Sequence, residues 1–388
     1  MRMYLEDSVL EMARKRIRWV LNEFENVVIN VSGGKDSTVI YHLTREIADD
    51  MGHDQPWVFW IDQEAEWQST VDLVYDWMEA DDVRPLLAQV PMKITNATSD
   101  TEDFLHCWNP EDEHLWMHER HPQAITENTY GTERFDGLFE AIVQEEVPQP
   151  TAQIAGVRTE ESRTRYMGLT MYSAYKGATW GSHDAEDVFR FYPIYDWSYS
   201  DVWKFIHDND IPYNEIYDVQ YQHGVPVLNM RVSNLHHETA VSSLFRLQEF
   251  EPDTYDKLLK RIGGIHTAAQ FGEDDYFPDE VPFMFSGWRE YRNYLLETLV
   301  DDPKHKKGFL KHFFAQDMLA EGTDKYDSIL MAHVRGILAN DWEGDSIINN
   351  ARRECGFKEN QRQRDRKIKY LKEQEPDTWQ QLKAEGVV

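Results

Sequence analysis

The sequence predicts an α/β protein, with a parallel sheet flanked by helices over residues 1–230 and a mainly helical domain over 231–388. Three observations carry this. Short β-branched apolar runs alternate with stretches of helical periodicity through the first 90 residues, the rhythm of parallel strands joined by crossover helices. A glycine-containing loop, residues 32–38, lies between the first strand and the helix after it. Beyond Arg231 the pattern is helical with charged faces, and no second loop of that kind recurs.

Taken in order, residues 1–24 mix acidic and basic side chains with apolar ones and read as an amphipathic helix, not as the apolar run of a secretion signal. Residues 26–31 form a strand. Residues 37–51 place Val39, Ile40, Leu43 and Ile47 at helical spacing. Trp57–Ile61 is a second strand ending at Asp62, Gln68–Met78 a helix, and 83–90 a third strand. From 91 to 130 the periodicity fades and Trp, His, Asn and Asp accumulate, which predicts a long functional excursion. A helix over 133–146, a strand over 152–157 and a helix opened by Ser198 or Ser200 complete the domain.

Composition narrows the class. Hydrophobic residues make up 41% of the 388 and aromatics 13%, enough for a large core and against wholesale disorder. No segment approaches the roughly 18 apolar residues that span a bilayer, so no membrane partner is expected. Cys107 and Cys355 are the only cysteines, too few for a disulfide framework or a Cys-ligated iron–sulfur cluster; a reducing cytoplasm is the expected compartment. The net charge of −30 favours solubility and opposes broad adhesion to nucleic acid. From Arg352 to Lys372 that balance reverses, with nine Lys/Arg against three Asp/Glu. Such a stretch suits a local nucleic-acid contact, an acidic partner, or a solvated helix face paired with the acidic body.

The loop carries the chemistry. In Ser32-Gly33-Gly34-Lys35-Asp36-Ser37-Thr38 the glycines let backbone N–H groups approach oxygen anions. The helix that follows offers free N–H donors and its positive dipole end. Ser32, Ser37 and Thr38 can add hydroxyl donors and Lys35 a point charge, while Asp36 is expected to hold Mg²⁺ or to orient the loop. The spacing is neither that of the usual P-loop nor of the dinucleotide fingerprint. Arg158, Arg163 and Arg165, three fork-shaped cations within eight residues, suit phosphate or sulfate oxygens. Surface ion pairs with Glu160 and Glu161 are the alternative. Asp62 ends a strand where ligands bind in parallel sheets and is a candidate for metal or ribose; Glu64 and Glu66, just beyond, either share in holding Mg²⁺ or are solvated.

The string SGGKDS resembles the signature of the PP-loop ATP pyrophosphatases, of adenine nucleotide alpha hydrolase-like fold. Three further stretches resemble the phosphoadenylyl sulfate (PAPS) reductase and ATP sulfurylase small-subunit branch: Gly156-Val157-Arg158-Thr159-Glu160-Glu161-Ser162-Arg163-Thr164-Arg165, then Pro193 to Ser198 with Asp201-Val202-Trp203, then Ile211-Pro212-Tyr213-Asn214-Glu215-Ile216-Tyr217. All occur in the family's order. The resemblance implies that Ser32 to Ser37 hold the pyrophosphate of Mg·ATP, with Thr38 and Gly156 also at the nucleotide, while Arg158, Arg163 and Arg165 bind the α-phosphate or the unidentified acceptor to which adenylyl passes. PAPS reductases carry a degraded phosphate loop, so the intact one implies ATP as ligand. They also use a C-terminal cysteine in an ECG-[LI]-H segment; Glu354-Cys355-Gly356 matches it in part, without the following His. That makes Cys355 the candidate nucleophile of an alternative, thiol-dependent PAPS reductase. The added helical domain resembles phage and prophage co-activator proteins, which implies a third reading: a non-catalytic nucleotide sensor acting beside a ParB-like, DNA-associated partner. Oligomerisation is left open.

Overall fold

A computed structural model describes residues 6–95, 104–161, 175–227, 230–232, 235, 247–262 and 278–339, with scattered positions from 341 onward. Helix α1 (Val9–Glu23) starts at a capping box: the Ser8 hydroxyl accepts from the Glu11 amide, and the Glu11 carboxylate accepts from the Ser8 amide. There follow β1 (Asn26–Asn30), α2 (Lys35–Met51), β2 (Trp57–Ile61), α3 (Gln68–Met78) and β3 (Arg84–Ala88). The chain continues through β4 (Met92–Thr95), β5 (Phe104–Cys107), α4 (Phe135–Glu146), β6 (Thr151–Ile154), β7 (Gly181–Ala185) and β8 (Val188–Phe191). Helices α5 (Tyr199–Asp208), α6 (Ile216–Gln222) and α7 (Pro252–Arg261) come next.

The sheet runs in the order β3-β2-β1-β6-β8-β7. Every neighbouring pair is parallel except β7 with β8. The chain fills one side of β1 first, with β2 and β3, and later the other, with β6 and β8. The order therefore reverses between β1 and β6, and open α/β sheets bind ligands in the crevice beyond such a reversal. One face of the sheet presents Val27, Ile29, Val58, Trp60, Leu87 and Ile154 to the apolar faces of α1, α2 and α3. The other presents Phe59 to Phe139 of α4, ring centroids 4.9 Å apart.

The expected strands over 26–31, 83–90 and 152–157 are shortened to five, five and four residues. The hairpin β7–β8 and the strands β4 and β5 inside the 91–130 excursion were not foreseen. Gly-Ser-His-Asp-Ala has no apolar face, so its strand state comes from pairing with β8 and not from propensity. Asp187 turns the hairpin in the left-handed region, φ 59, which Asp tolerates better than most residues.

The chain divides into two compact units, and the division is not a single cut: the first comprises 1–94, 106–234 and 250–257, the second 95–105, 235–249 and 258–388. In the second, α8 (Trp288–Thr298), α9 (Pro303–Ala320) and α10 (Tyr326–Leu338) enclose Leu295, Phe309, Phe313, Leu330, Val334 and Ile337. Buried Arg292 pairs with Asp317 at 2.9 Å and also donates to His333 Nδ1 at 3.1 Å. Burial, reinforced by Arg292, holds His333 far below its ordinary value, so it stays neutral and donates from Nε2 to Gln316. Among the described residues no helix is long and apolar enough to cross a membrane.

Candidate functional site

The phosphate loop leaves the sheet at Val31, whose amide donates to the Phe59 carbonyl of β2 at 3.0 Å. Gly33 then takes φ +67, and a Cβ there would stand 2.6 Å from Thr70 Cγ2, so both backbone and space require glycine. Gly34 is the N-cap of α2 and makes no side-chain cap. The Asp36 and Ser37 amides of the first turn of α2 thus meet the end of the sheet without a Ser or Asp at the cap to satisfy them, the arrangement that accepts an anion. The hydroxyls of Ser37 and Thr38 turn inward. Both donate to the Gly34 carbonyl, at 2.8 and 3.0 Å, and Ser37 Oγ accepts the Ser32 amide at 3.2 Å. In this structure they brace the loop, and the backbone and Lys35 remain as its anion-facing groups.

Gly156 follows β6 and lies against the loop from the other side of the reversal point. A Cβ on it would sit 2.7 Å from the Asp36 carbonyl carbon and oxygen. Two residues on, Arg158 is buried, and its Nε donates to Asp36 Oδ1. Its remaining nitrogens meet Glu160 at 3.1 Å and Glu161 at 3.6 Å. Lys35 Nζ stands 3.4 Å from the other Asp36 oxygen. Asp36 thereby orients the loop through two cations, and Arg158 reaches the site already surrounded by three carboxylates.

The remaining motifs close around the same loop. The Thr159 amide donates to the Tyr195 carbonyl at 2.8 Å, and Glu160 accepts the Tyr199 amide at 2.7 Å. Ser198, one of the two expected caps, opens α5 in a capping box with Asp201. Asn214 Nδ2 donates to Thr70 Oγ1 at 2.9 Å and reaches the Gly33 carbonyl at 3.4 Å. The Lys35 amide donates to the Tyr217 hydroxyl at 3.0 Å. Trp197 is core, and Trp203 packs edge-on against Tyr213 and Tyr217.

Asp62 is wholly buried at the end of β2. Its Oδ1 accepts the Glu64 amide at 2.9 Å and its Oδ2 accepts from Gln89 at 2.7 Å, with Tyr75 and His118 at 3.5 Å. The excursion delivers His118, and it is pinned to β3 by Ile125 donating to Leu87 and by the His121 amide donating to Gln89. Glu64 accepts the Trp108 amide at 2.8 Å. Glu64 and Glu66 are buried, not solvated. Burial, then the charge on Asp62, pushes the Glu66 carboxyl up to about 8, while His118 pulls the other way. Burial opposes a charge on His118, but Asp62 and Glu64 outweigh it and raise its basicity. Among the described residues no group of three or more His, Cys, Asp or Glu could hold a metal ion.

The sequence profile described as the phosphoadenosine phosphosulfate reductase domain matches residues 26–270. The chain belongs to that family. A profile described only as a domain of unknown function matches 224–317. The uncharacterized protein YbdN of Escherichia coli (strain K12) is 29% identical over 315 residues, 76% of this chain and 76% of that one. The adenosine 5'-phosphosulfate reductase of Staphylococcus epidermidis is 24% identical over 206 residues, 53% of this chain and 71% of that protein. The crystal structure of a PAPS reductase from Candida auris aligns at 15% identity and a TM-score of 0.33, over 56% of this chain and 93% of the other.

Within this PAPS reductase domain the fold brings Lys35, Asp36, Gly156 and Arg158 together around the loop. Asp62 belongs to a separate hydrogen-bonded cluster at the neighbouring strand end. Arg163, Arg165 and Cys355 lie outside the described residues, as does the basic stretch from Arg352 to Lys372 apart from Lys369 and Lys372. Asn214 and Tyr217 stood in a recognised motif without a role. Gln89 and His118 had no local signal, because neither stands in a periodic pattern.

Two predictions follow from these contacts. Gly156→Ala forces the Asp36 backbone to shift, so chemical unfolding should show a loss of about 1–3 kcal/mol; an unchanged midpoint would contradict the close approach. Folded Glu66 keeps a proton that the unfolded chain releases above its ordinary 4.5. The stability tied to that proton is present below pH 4.5 and lost as pH rises through about 8. Glu66→Gln should therefore raise the thermal midpoint at pH 8–9, by roughly 2–4 °C per kcal/mol recovered, and leave it nearly unchanged at pH 4.

Proposed function

We propose that the domain binds Mg·ATP with its β,γ-pyrophosphate on the loop Ser32–Gly33–Gly34–Lys35 and transfers adenylyl from the α-phosphate to an acceptor. The observation that carries this is the N-terminus of α2 behind two glycines, with no side-chain cap from its N-cap Gly34, at the point where the strand order reverses. An acceptor oxygen bonds to the α-phosphorus, the bond to the α,β-bridging oxygen breaks, and pyrophosphate leaves; with water as acceptor the other product is AMP. The amides and Lys35 stabilise charge as it develops on the departing pyrophosphate. Arg158 faces the α-phosphate or the acceptor when it exchanges a carboxylate partner for the ligand. Magnesium enters with the nucleotide, as its counter-ion.

The double variant Lys35→Ala, Asp36→Ala tests this. With α-labelled ATP and Mg²⁺, the wild type should release pyrophosphate and AMP or an adenylylated product, and the variant should lose on the order of a hundredfold or more in rate. Full turnover by the variant would remove the loop from the chemistry.

Family membership and the adenylyl sulfate reductase relatives favour a second reading, thiol-dependent reduction of an adenylyl sulfate. Cys107 is fully buried in β5, which leaves Cys355 as the nucleophile. In that case Cys355→Ser abolishes release of sulfite from PAPS in the presence of a thiol donor, whereas the adenylyl-transfer reading expects Cys355→Ser to release pyrophosphate at the wild-type rate.

A further inference from the structure

We propose that the Tyr217 hydroxyl is a direct phosphate ligand of the loop, accepting the Lys35 amide while donating its own proton to a phosphate oxygen. The assignment rests on the nucleotide reading of the loop and adds to it a residue from the far end of the domain. Tyr217 is the last residue of the Pro-Tyr-Asn-Glu-Ile-Tyr stretch and lies in the first turn of α6. Its side chain is 3% exposed. Trp203 fixes the ring edge-on at 5.3 Å, and the hydroxyl is held 3.0 Å from the Lys35 amide. A Cβ on Gly34 would stand 3.4 Å from that same oxygen. Lys35 Nζ lies 5.5 Å from the ring centroid, so the phenol is lodged between the first amide of α2 and the loop's cation.

A phenol oxygen can accept and donate at once. Here it accepts, and among the described residues its proton has no acceptor. Asp36, close enough to act electrostatically on Tyr217, has its oxygens turned to Arg158 and Lys35. A buried donor left unpaired is costly, and at a helix N-terminus the acceptor that fits is an anion oxygen. Burial pushes the Tyr217 phenol pKa above its ordinary value, so the donor persists across the neutral range. A residue serving only to brace α2 would need an acceptor alone, and Ser or Asp at the cap supplies that in most helices. This loop has glycine at the cap and a buried phenol with a proton to give.

Calorimetric titration of the full chain with ATP, inorganic pyrophosphate and adenosine separates the alternatives. Tyr217→Phe keeps the ring and removes only the hydroxyl. It should weaken ATP and pyrophosphate by about ten- to a hundredfold and leave adenosine binding unchanged. Tyr221→Phe, altered on the same helix at a 68% exposed position, should bind all three like the wild type. The shift in thermal midpoint produced by ATP, smaller in Tyr217→Phe than in wild type, gives the same comparison if the variant is less stable. Wild-type affinity of Tyr217→Phe for ATP and pyrophosphate overturns the proposal, and so does an equal loss for adenosine, which would mark Tyr217 as a prop for the fold. A wild type that binds neither ATP nor pyrophosphate removes the nucleotide reading, and this assignment with it.

Discussion

The contact between the Gly156 backbone and the first turn of α2 governs the rest of the site. β1 and β6 are hydrogen-bonded neighbours, with Ile29 opposite Ile154. The two loops that leave their ends must therefore share one narrow space. Any side chain on residue 156 would fill it, since even a Cβ falls within 2.7 Å of Asp36. With glycine there, the Val157–Arg158 chain runs close enough for Arg158 to pair with Asp36. The same stretch of chain then makes the contacts of Thr159 with Tyr195 and of Glu160 with the start of α5.

Charge at the site is arranged as a balance that a ligand can tip. The chain carries −30 overall, and it places Arg158 and Lys35 at the loop with Asp36 between them and Glu160 and Glu161 behind. A phosphate group entering this space competes with carboxylates for the same two cations. Buried ion pairs with several partners give up charge reluctantly, because desolvation makes an unpaired ion costly. An anion would have to satisfy the cations at least as fully as the domain's own side chains do. The Asp36 and Ser37 amides of α2 offer such an anion further donors from the helix N-terminus.

How far the sequence was legible varies with the kind of signal. Strand, loop and helix from residue 26 to 78 follow from periodicity and glycine placement, and the structure differs there by a few residues at the ends. Ser198 was readable as a cap because its pattern is local. The Asp62 cluster was legible only at its carboxylates, Asp62, Glu64 and Glu66. Its partners Gln89, Trp108 and His118 lie on a strand end and in the aperiodic excursion, and the connection is made by the return of Ile125 along β3. Glu64 and Glu66 stayed open between holding Mg²⁺ and lying in solvent, because sequence carries no record of what folds over them.

The sequence by itself determined the parallel sheet, the glycine loop between its first strand and helix, and the family, because each is written in residues close together along the chain. The tertiary structure alone decided how the charges are partnered. Asp36 and Arg158 are 122 residues apart, and Lys35 and Tyr217 are 182 apart. Sequence periodicity registers which face of an element is apolar, over a few turns or a few strand residues. Whether a cation is free or paired, and whether a phenol has an acceptor for its proton, depends on distances that exist only after the sheet has ordered β1 beside β6.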